Sequence, residues 1–274
     1  MTLKFENLYK SYGNTEILHG INFTVYPGKP MAFLGRNGAG KTTTIRGFMD
    51  VFRFDKGSIT LEGKNFNARD YKIGYLPEER GLYQKHKILD QLIYLSKLEV
   101  LSKGNQQKVQ IVQALMNNPE IVILDEPFSG LDPVNSKILR DLVKEISTKG
   151  NYLIFSSHQM GYVEEMCDDL TIIHKGDIVV SDTISNIKKE IGAGRISISA
   201  ENMTLDELEL YLRTQIPQIK FERLNENLIV SIDNMEKSSF IQNLLDIGVE
   251  IEKFSNYEPS VYDIFLKTVG GSNE

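Results

Sequence analysis

The chain has 274 residues, enough for one large domain and a smaller one, and 41% hydrophobic content supports packed cores. Its net charge of −6 with 25% charged residues fits a globular surface, and the acidic excess lies after Arg195, which argues against nucleic-acid binding there. A single cysteine excludes an internal disulfide, and His19, His86, His158 and Cys167 show no metal-ligand spacing.

No window approaches the roughly 18 apolar residues that a membrane helix needs. The start, Met1-Thr2-Leu3-Lys4-Phe5-Glu6, lacks the basic and apolar regions of a signal peptide, so a cytoplasmic protein is expected. Leu3 to Tyr9, Ile17 to Val25 and Ser58 to Leu61 alternate apolar and polar residues, with turn signals at Tyr12-Gly13-Asn14 and Pro27-Gly28. They predict antiparallel strands. Tyr12, in the first turn, is an aromatic that can stack on a purine or remain a half-buried surface residue.

Between these strands, the apolar run Met31-Ala32-Phe33-Leu34 leads into Gly35-Arg36-Asn37-Gly38-Ala39-Gly40-Lys41-Thr42-Thr43, and a helix is predicted over Thr43 to Val51. The form is G-x-x-x-x-G-K-[ST], preceded by a buried strand and followed by a helix. Glycines let successive backbone N–H groups converge on one point, and the helix adds unpaired amides and the positive end of its dipole. Lys41 supplies a cation for β- and γ-phosphates and the Thr42 hydroxyl a ligand for Mg²⁺. This loop implies a nucleoside triphosphate, without distinguishing kinase, GTPase or motor ATPase.

A short strand, Ile73 to Leu76, is broken by Pro77 and followed by Glu78 and a polar loop. Lys87 to Leu98 reads as one amphipathic helix, and Leu101-Ser102-Lys103-Gly104-Asn105 opens another, capped by Ser102 and ending at Asn117-Asn118-Pro119. Ile121 to Leu124 is a fully apolar run of the buried parallel kind, ending in Asp125-Glu126-Pro127. Two carboxylates at the C-terminal edge of such a strand lie where open α/β sheets bind ligands, and read as Mg²⁺ and water chemistry. Ser129-Gly130-Leu131-Asp132-Pro133 turns into a helix over Val134 to Thr148, Tyr152 to Phe155 is the next strand, and Ser156-Ser157-His158 follows it. Cys167 belongs to core packing on an amphipathic helix over Gly161 to Asp169, and Leu170 to Ile173 and Asp177 to Val180 extend the sheet.

In this order, Tyr12, the Walker A loop Gly35 to Thr43, Tyr75-Leu76-Pro77-Glu78, the signature-like Leu101 to Asn105, the Walker B strand Ile121 to Glu126, the D-loop Ser129 to Asp132 and the switch His158 resemble the ATP-binding subunit of an ABC transporter, over roughly residues 3 to 185. The resemblance implies an ATPase using ATP and Mg²⁺, working as a head-to-tail homodimer beneath an integral-membrane permease. It implies nucleotide contacts from Tyr12, Gly35, Asn37, Gly38, Gly40, Lys41, Thr42, Thr43 and Asp132, with Ser102 and Gly104 reaching the γ-phosphate from the second copy. Thr42, Glu78 and Asp125 would hold the metal, Glu126 would orient or deprotonate water, and His158 would sense the γ-phosphate. Glu78 stands where the family usually has Gln, and Leu-Ser-Lys-Gly-Asn where Leu-Ser-Gly-Gly-Gln is commoner. Only Glu79 to Val100 separate Glu78 from the signature, where relatives place a longer several-helix subdomain, so either the helical subdomain, over about 84 to 118, is shortened or a segment is missing from it, with the join near Glu99-Val100.

After a helix over Ile184 to Ile191 and the hinge Gly192-Ala193-Gly194, the predicted order is strand, helix, two strands, helix, strand, then a final helix over Val261 to Val269. β-α-β-β-α-β is the ferredoxin-like order. The expected fold is therefore an α/β P-loop NTPase core over 1–191, with a mostly parallel sheet and an antiparallel β subdomain, plus a small ferredoxin-like α+β domain over 195–274. The ending Glu258 to Leu266 resembles tails of bacterial ABC-2-type export ATPases, and an accessory, dimer-stabilising or regulatory role is expected for this domain. A soluble ABC ATPase on ribosomes or DNA is the alternative, but those usually carry two cassettes or coiled-coil insertions, and this chain has neither. A poorly cycling nucleotide-dependent regulator is a further one.

Overall fold

The computed structural model describes residues 1–77, 110–217, 219–224, 226–232, 235–246 and 248–270. Glu78, Ser102 and Gly104, and the helix expected over Lys87 to Leu98, lie outside the described residues. The chain divides into two compact units, Met1–Ile184 with Val261–Glu274, and Ser185–Ser260.

In the first unit, β1 (Leu3–Tyr12), β2 (Thr15–Val25), β4 (Lys56–Leu61) and β5 (Lys64–Asn65) form an antiparallel sheet in the order β2-β1-β4-β5. β3 (Met31–Leu34), β6 (Ile73–Leu76), β7 (Ile121–Asp125), β8 (Tyr152–Ser156), β9 (Asp169–His174) and β10 (Asp177–Thr183) form a second sheet, ordered β10-β9-β3-β8-β7-β6. Its strands pair in parallel except for the β9–β10 hairpin at one edge. The uninterrupted apolar runs of β3 and β7 suit this: both strands are buried along their whole length. Phe5, Phe23 and Phe33 bind the two sheets into one core, stacking at centroid distances of 4.1 and 5.2 Å.

α1 (Lys41–Phe48) follows β3, and residues 110–115 are helical. α2 (Pro133–Thr148) starts with Asp132 as N-cap, accepting the Asn135 N–H at 3.0 Å, and Pro133 in the first turn. α3 is Met160–Met166. It is shorter than the expected Gly161 to Asp169, because Cys167 is already extended at the C-cap and Asp169 opens β9. Cys167 is buried, as core packing requires, and desolvation pushes its thiol pKa far up.

The second unit contains α4 (Ile184–Gly192) from Ser185 on, then β11 (Arg195–Ala200), α5 (Leu205–Gln215), β12 (Lys220–Leu224), β13 (Asn227–Ser231), α6 (Lys237–Asp246) and β14 (Ile251–Asn256). Thr204 and Glu207 form a reciprocal capping box at the start of α5. The strand order β12-β13-β11-β14, antiparallel throughout, is the ferredoxin-like arrangement, with Ile196, Ile198, Leu228 and Val230 buried against Leu208, Leu212, Phe240 and Leu244. The boundaries differ from the expected 1–191 and 195–274. α4 begins the second unit, and the last helix, α7 (Val261–Val269), returns to the first, packing on α3 with Val261, Ile264 and Val269 buried.

Candidate functional site

The loop between β3 and α1 is built from backbone. Gly38 and Gly40 have φ of 79° and 114°, the left-handed region that favours glycine. A Cβ on Gly35 would lie 2.5 Å from the Ile173 carbonyl oxygen, and one on Gly40 2.7 Å from Leu18 Cδ2, whereas Gly38 and Asn37 are exposed and Gly38 has open space around it. The loop is thus pressed against β9 and β2 on one side and open on the other. Gly176, in the β9–β10 turn, donates its N–H to the Ala39 carbonyl at 3.1 Å and braces it from behind.

Gly40 occupies the N-cap of α1, so no side chain caps the first amides of that helix. This suits a phosphate, as does Lys41, whose Nζ donates to the Gly35 carbonyl at 2.5 Å and lies 3.4 Å from that of Arg36. The ammonium therefore lies across the loop. Thr42 is exposed, Thr43 half-buried, and Thr44 buried with its hydroxyl on the Gly40 carbonyl at 2.9 Å. Of the three threonines, Thr42 is the one open to a metal.

The acidic part of the site is carried by β7 and β8, whose parallel register places Asp125 beside Ser156. Asp125 is buried and accepts the Ser156 hydroxyl. Glu126 then turns the chain out of the strand at φ 48°, unusual for a residue with a Cβ, while its N–H donates to the Ser156 carbonyl at 3.1 Å and its own carbonyl accepts the Ser129 N–H. Its side chain, 10% exposed, lies with Oε1 3.7 Å from His158 Nε2 and Oε2 3.3 Å from Ser157 Oγ. Ser157 Oγ also accepts the Gln159 N–H at 3.0 Å. His158 is half exposed. The structure thus brings together the carboxylate and the imidazole that the sequence could only name separately.

Ser156 and Ser157 were not singled out from sequence. Their only signal is the Asp125-to-Ser156 register between neighbouring strands, which no local pattern states. Phe128 was missed too: buried after Pro127, it stacks on Tyr162 at 3.9 Å and 17°.

Other expected residues lie apart from this cluster. Asp132 is engaged at the start of α2. Tyr12 ends β1, rather than lying in the turn, and is 52% exposed, edge-on to Phe52 at 5.9 Å with Lys10 Nζ 5.6 Å from its ring. Lys10 is held there by Asp55, at 3.0 Å.

The ABC transporter family matches residues 18–129, and the C-terminal domain of DrrA1-3-like ATP-binding proteins matches residues 183–269. The chain is 36% identical to the ABC transporter ATP-binding protein YhaQ of Bacillus subtilis, over 302 aligned residues covering 99% of this chain and 100% of that protein. It is 29% identical to the bacitracin transport ATP-binding protein BcrA of Bacillus licheniformis, covering 98% and 97% of the two chains. A solved structure described as the ATP-binding subunit of an ABC transporter superposes with a TM-score of 0.61 at 28% identity, covering 77% of this chain and 99% of that one. A glycine loop at the head of an uncapped helix, a buried aspartate beside a carboxylate–imidazole pair, and these likenesses lead to one assignment: the chain belongs to the ATP-binding subunits of ABC transporters.

Proposed function

We propose that this chain binds and hydrolyses ATP, as its family does, to power a separate integral-membrane permease, and that the transport is export. The observation that carries the chemistry is the Glu126–His158 pair beside buried Asp125, at the C-terminal edge of the parallel sheet. Export is supported by relatives named for bacitracin transport and linearmycin resistance. Among the described residues no helix is long and apolar enough to cross a membrane. In this reading the permease supplies the membrane path and the chain works on its cytoplasmic face.

In this reading Gly35, Asn37, Gly38, Gly40, Lys41, Thr42 and Thr43 hold the phosphates and Tyr12 offers its exposed ring to the base. Mg²⁺ supplies charge neutralisation on the phosphates when bound, and Thr42, Asp125 and Glu78 would hold it. Glu126 accepts the proton of the attacking water as the new P–O bond forms and the bond to ADP breaks. His158, within reach of Glu126 and open to solvent, positions the γ-phosphate. Phosphoryl transfer asks mainly for positioning and charge stabilisation, which this set provides.

Asp132 adds to the nucleotide contacts of its own copy, and Ser102 and Gly104 complete the site from a second copy, giving a head-to-tail homodimer in the ATP state. The 302 aligned residues against YhaQ exceed this chain's 274, so that relative carries extra residues inside the aligned span. The test is size-exclusion chromatography of Glu126→Gln with Mg²⁺ and ATP. A shift from monomer to dimer is expected; a variant that stays monomeric, or a parent without ATPase activity, overturns the reading.

A further inference from the structure

The second unit leaves the first after Ile184 and the chain returns at Val261. Both junctions are hydrogen-bonded to one short segment. The Ile184 N–H donates to the Asp168 carbonyl at 2.8 Å, and the Val261 N–H donates to Glu164 Oε2 at 3.2 Å. That segment is α3 and its exit, and α3 begins at Met160, separated from His158 by Gln159 alone. A carboxylate on the first amide of α7 is also favoured by that helix's dipole.

α3 is held from its other neighbours as well. Tyr162 stacks on Phe128, two residues past Glu126 in the chain, and Glu165 receives both of its oxygens' bonds from Arg140 of α2, at 2.8 and 2.9 Å. Tyr162, Glu165 and Glu164 of one short helix therefore touch the loop after Glu126, the helix after Asp132, and the returning α7, respectively. A packed helix with so many fixed partners moves as a body, and what moves it moves His158.

We propose that Glu164 is a positioning residue for His158: by bonding the first amide of α7 it sets α3, and with it the imidazole's place opposite Glu126, so that the 185–260 unit, tethered at both ends to this segment, controls the rate of hydrolysis. The proposal rests on the site assigned above. It differs from a generally stabilising role in predicting an effect on turnover and on the His158 ring, rather than on ATP affinity.

The test uses the full chain. Glu164→Ala is expected to change kcat by about threefold or more with KM for ATP moving less than about twofold, the size of effect that residues coupling two sites exert. Glu164→Gln, whose side-chain oxygen still accepts the Val261 N–H, is expected to keep the parental kcat. The His158 imidazole signal in NMR, identified by its loss in His158→Gln, is expected to shift in Glu164→Ala while the other imidazole signals stay. Two glycines inserted between Pro259 and Ser260 slacken the second tether without altering Glu164, and are expected to move kcat and the same signal. If Glu164→Ala does not fold, Glu164→Asp, which shortens the reach by one methylene, takes its place. Parental kcat and an unmoved His158 signal in the Glu164 variant overturn the proposal, and an insertion without effect overturns the tether's part in it. Absence of ATPase activity in the parent would overturn the underlying site instead.

Discussion

The Glu126 carboxylate faces the His158 imidazole at 3.7 Å, wider than a hydrogen bond, while its other oxygen meets Ser157 Oγ. The carboxylate is nearly enclosed and the imidazole is half exposed, so one edge of the pair is open to an incoming group. Removing the base without changing shape is the sharpest test. Glu126→Gln is expected to lower kcat by about 100-fold or more, in the range of lost general-base catalysis, while ATP stays bound. Single-turnover hydrolysis with a parallel ATP-binding titration checks it, and hydrolysis at the parental rate would remove Glu126 from its role.

Ser157 holds that carboxylate directly. Its hydroxyl is directed at Glu126 Oε2 while its oxygen accepts the Gln159 N–H, and the residue is buried. Ser157→Ala is expected to lower kcat by about tenfold with little change in KM, since a hydrogen bond to a charged group is lost without touching the phosphate loop. Ser157→Thr, which keeps the hydroxyl, is expected to recover most of it. Equal losses in both variants would point to packing instead.

What the sequence made legible follows from how local each feature is. The glycine loop, the apolar runs of β3 and β7 and the carboxylates ending β7 are contiguous, and the structure places them as their patterns require. The ferredoxin-like succession of strands and helices along the chain was legible because each element carries its own period. The pairings were not. Ser156 and Ser157 matter because β8 lies beside β7 in one register, and α7 joins the first unit because α3 receives its buried face. Val261, Ile264 and Val269 announce that α7 has such a face, but not what it packs against.

The three loop glycines are not equivalent, and their substitutions rank accordingly. At Gly35 a Cβ would meet a backbone carbonyl of β9 at 2.5 Å, where little can yield. At Gly40 it would meet the Leu18 side chain at 2.7 Å and also a φ of 114°. At Gly38 there is space, and only the φ of 79° resists, a cost of about 1–2 kcal/mol. Gly38→Ala is therefore expected to weaken ATP binding least, and Gly35→Ala and Gly40→Ala to abolish it or to lower thermal stability as well. Calorimetric titration with ATP checks the order, and equal losses at all three would mean that side-chain bulk toward the ligand, rather than backing contacts, decides.

The brace behind the loop also carries a pH dependence. His19 donates its N–H to the Gly176 carbonyl, the turn whose own N–H supports Ala39, and its ring Nδ1 lies 3.1 Å from Asp177 Oδ2. The hydrogen bond to Asp177 raises the imidazole's pKa above its ordinary value, aided by the Asp177 charge and by Glu16 and opposed by desolvation. A histidine with a raised folded-state pKa stabilises the fold while protonated: the contribution is complete below an unfolded value of about 6.5 and is lost as pH rises through the folded one. Both side chains are more than a third exposed, 37% and 60%, so solvent screening limits the effect to about 1 kcal/mol at most. Asp177→Asn removes the charge and most of the shift. Between about pH 6 and pH 8 the parent is expected to lose more thermal stability than the variant, because only the parent has a charged pair to lose. Parallel melting curves check this, and identical slopes for the two proteins would mean that the His19–Asp177 contact does not brace the loop through its charge.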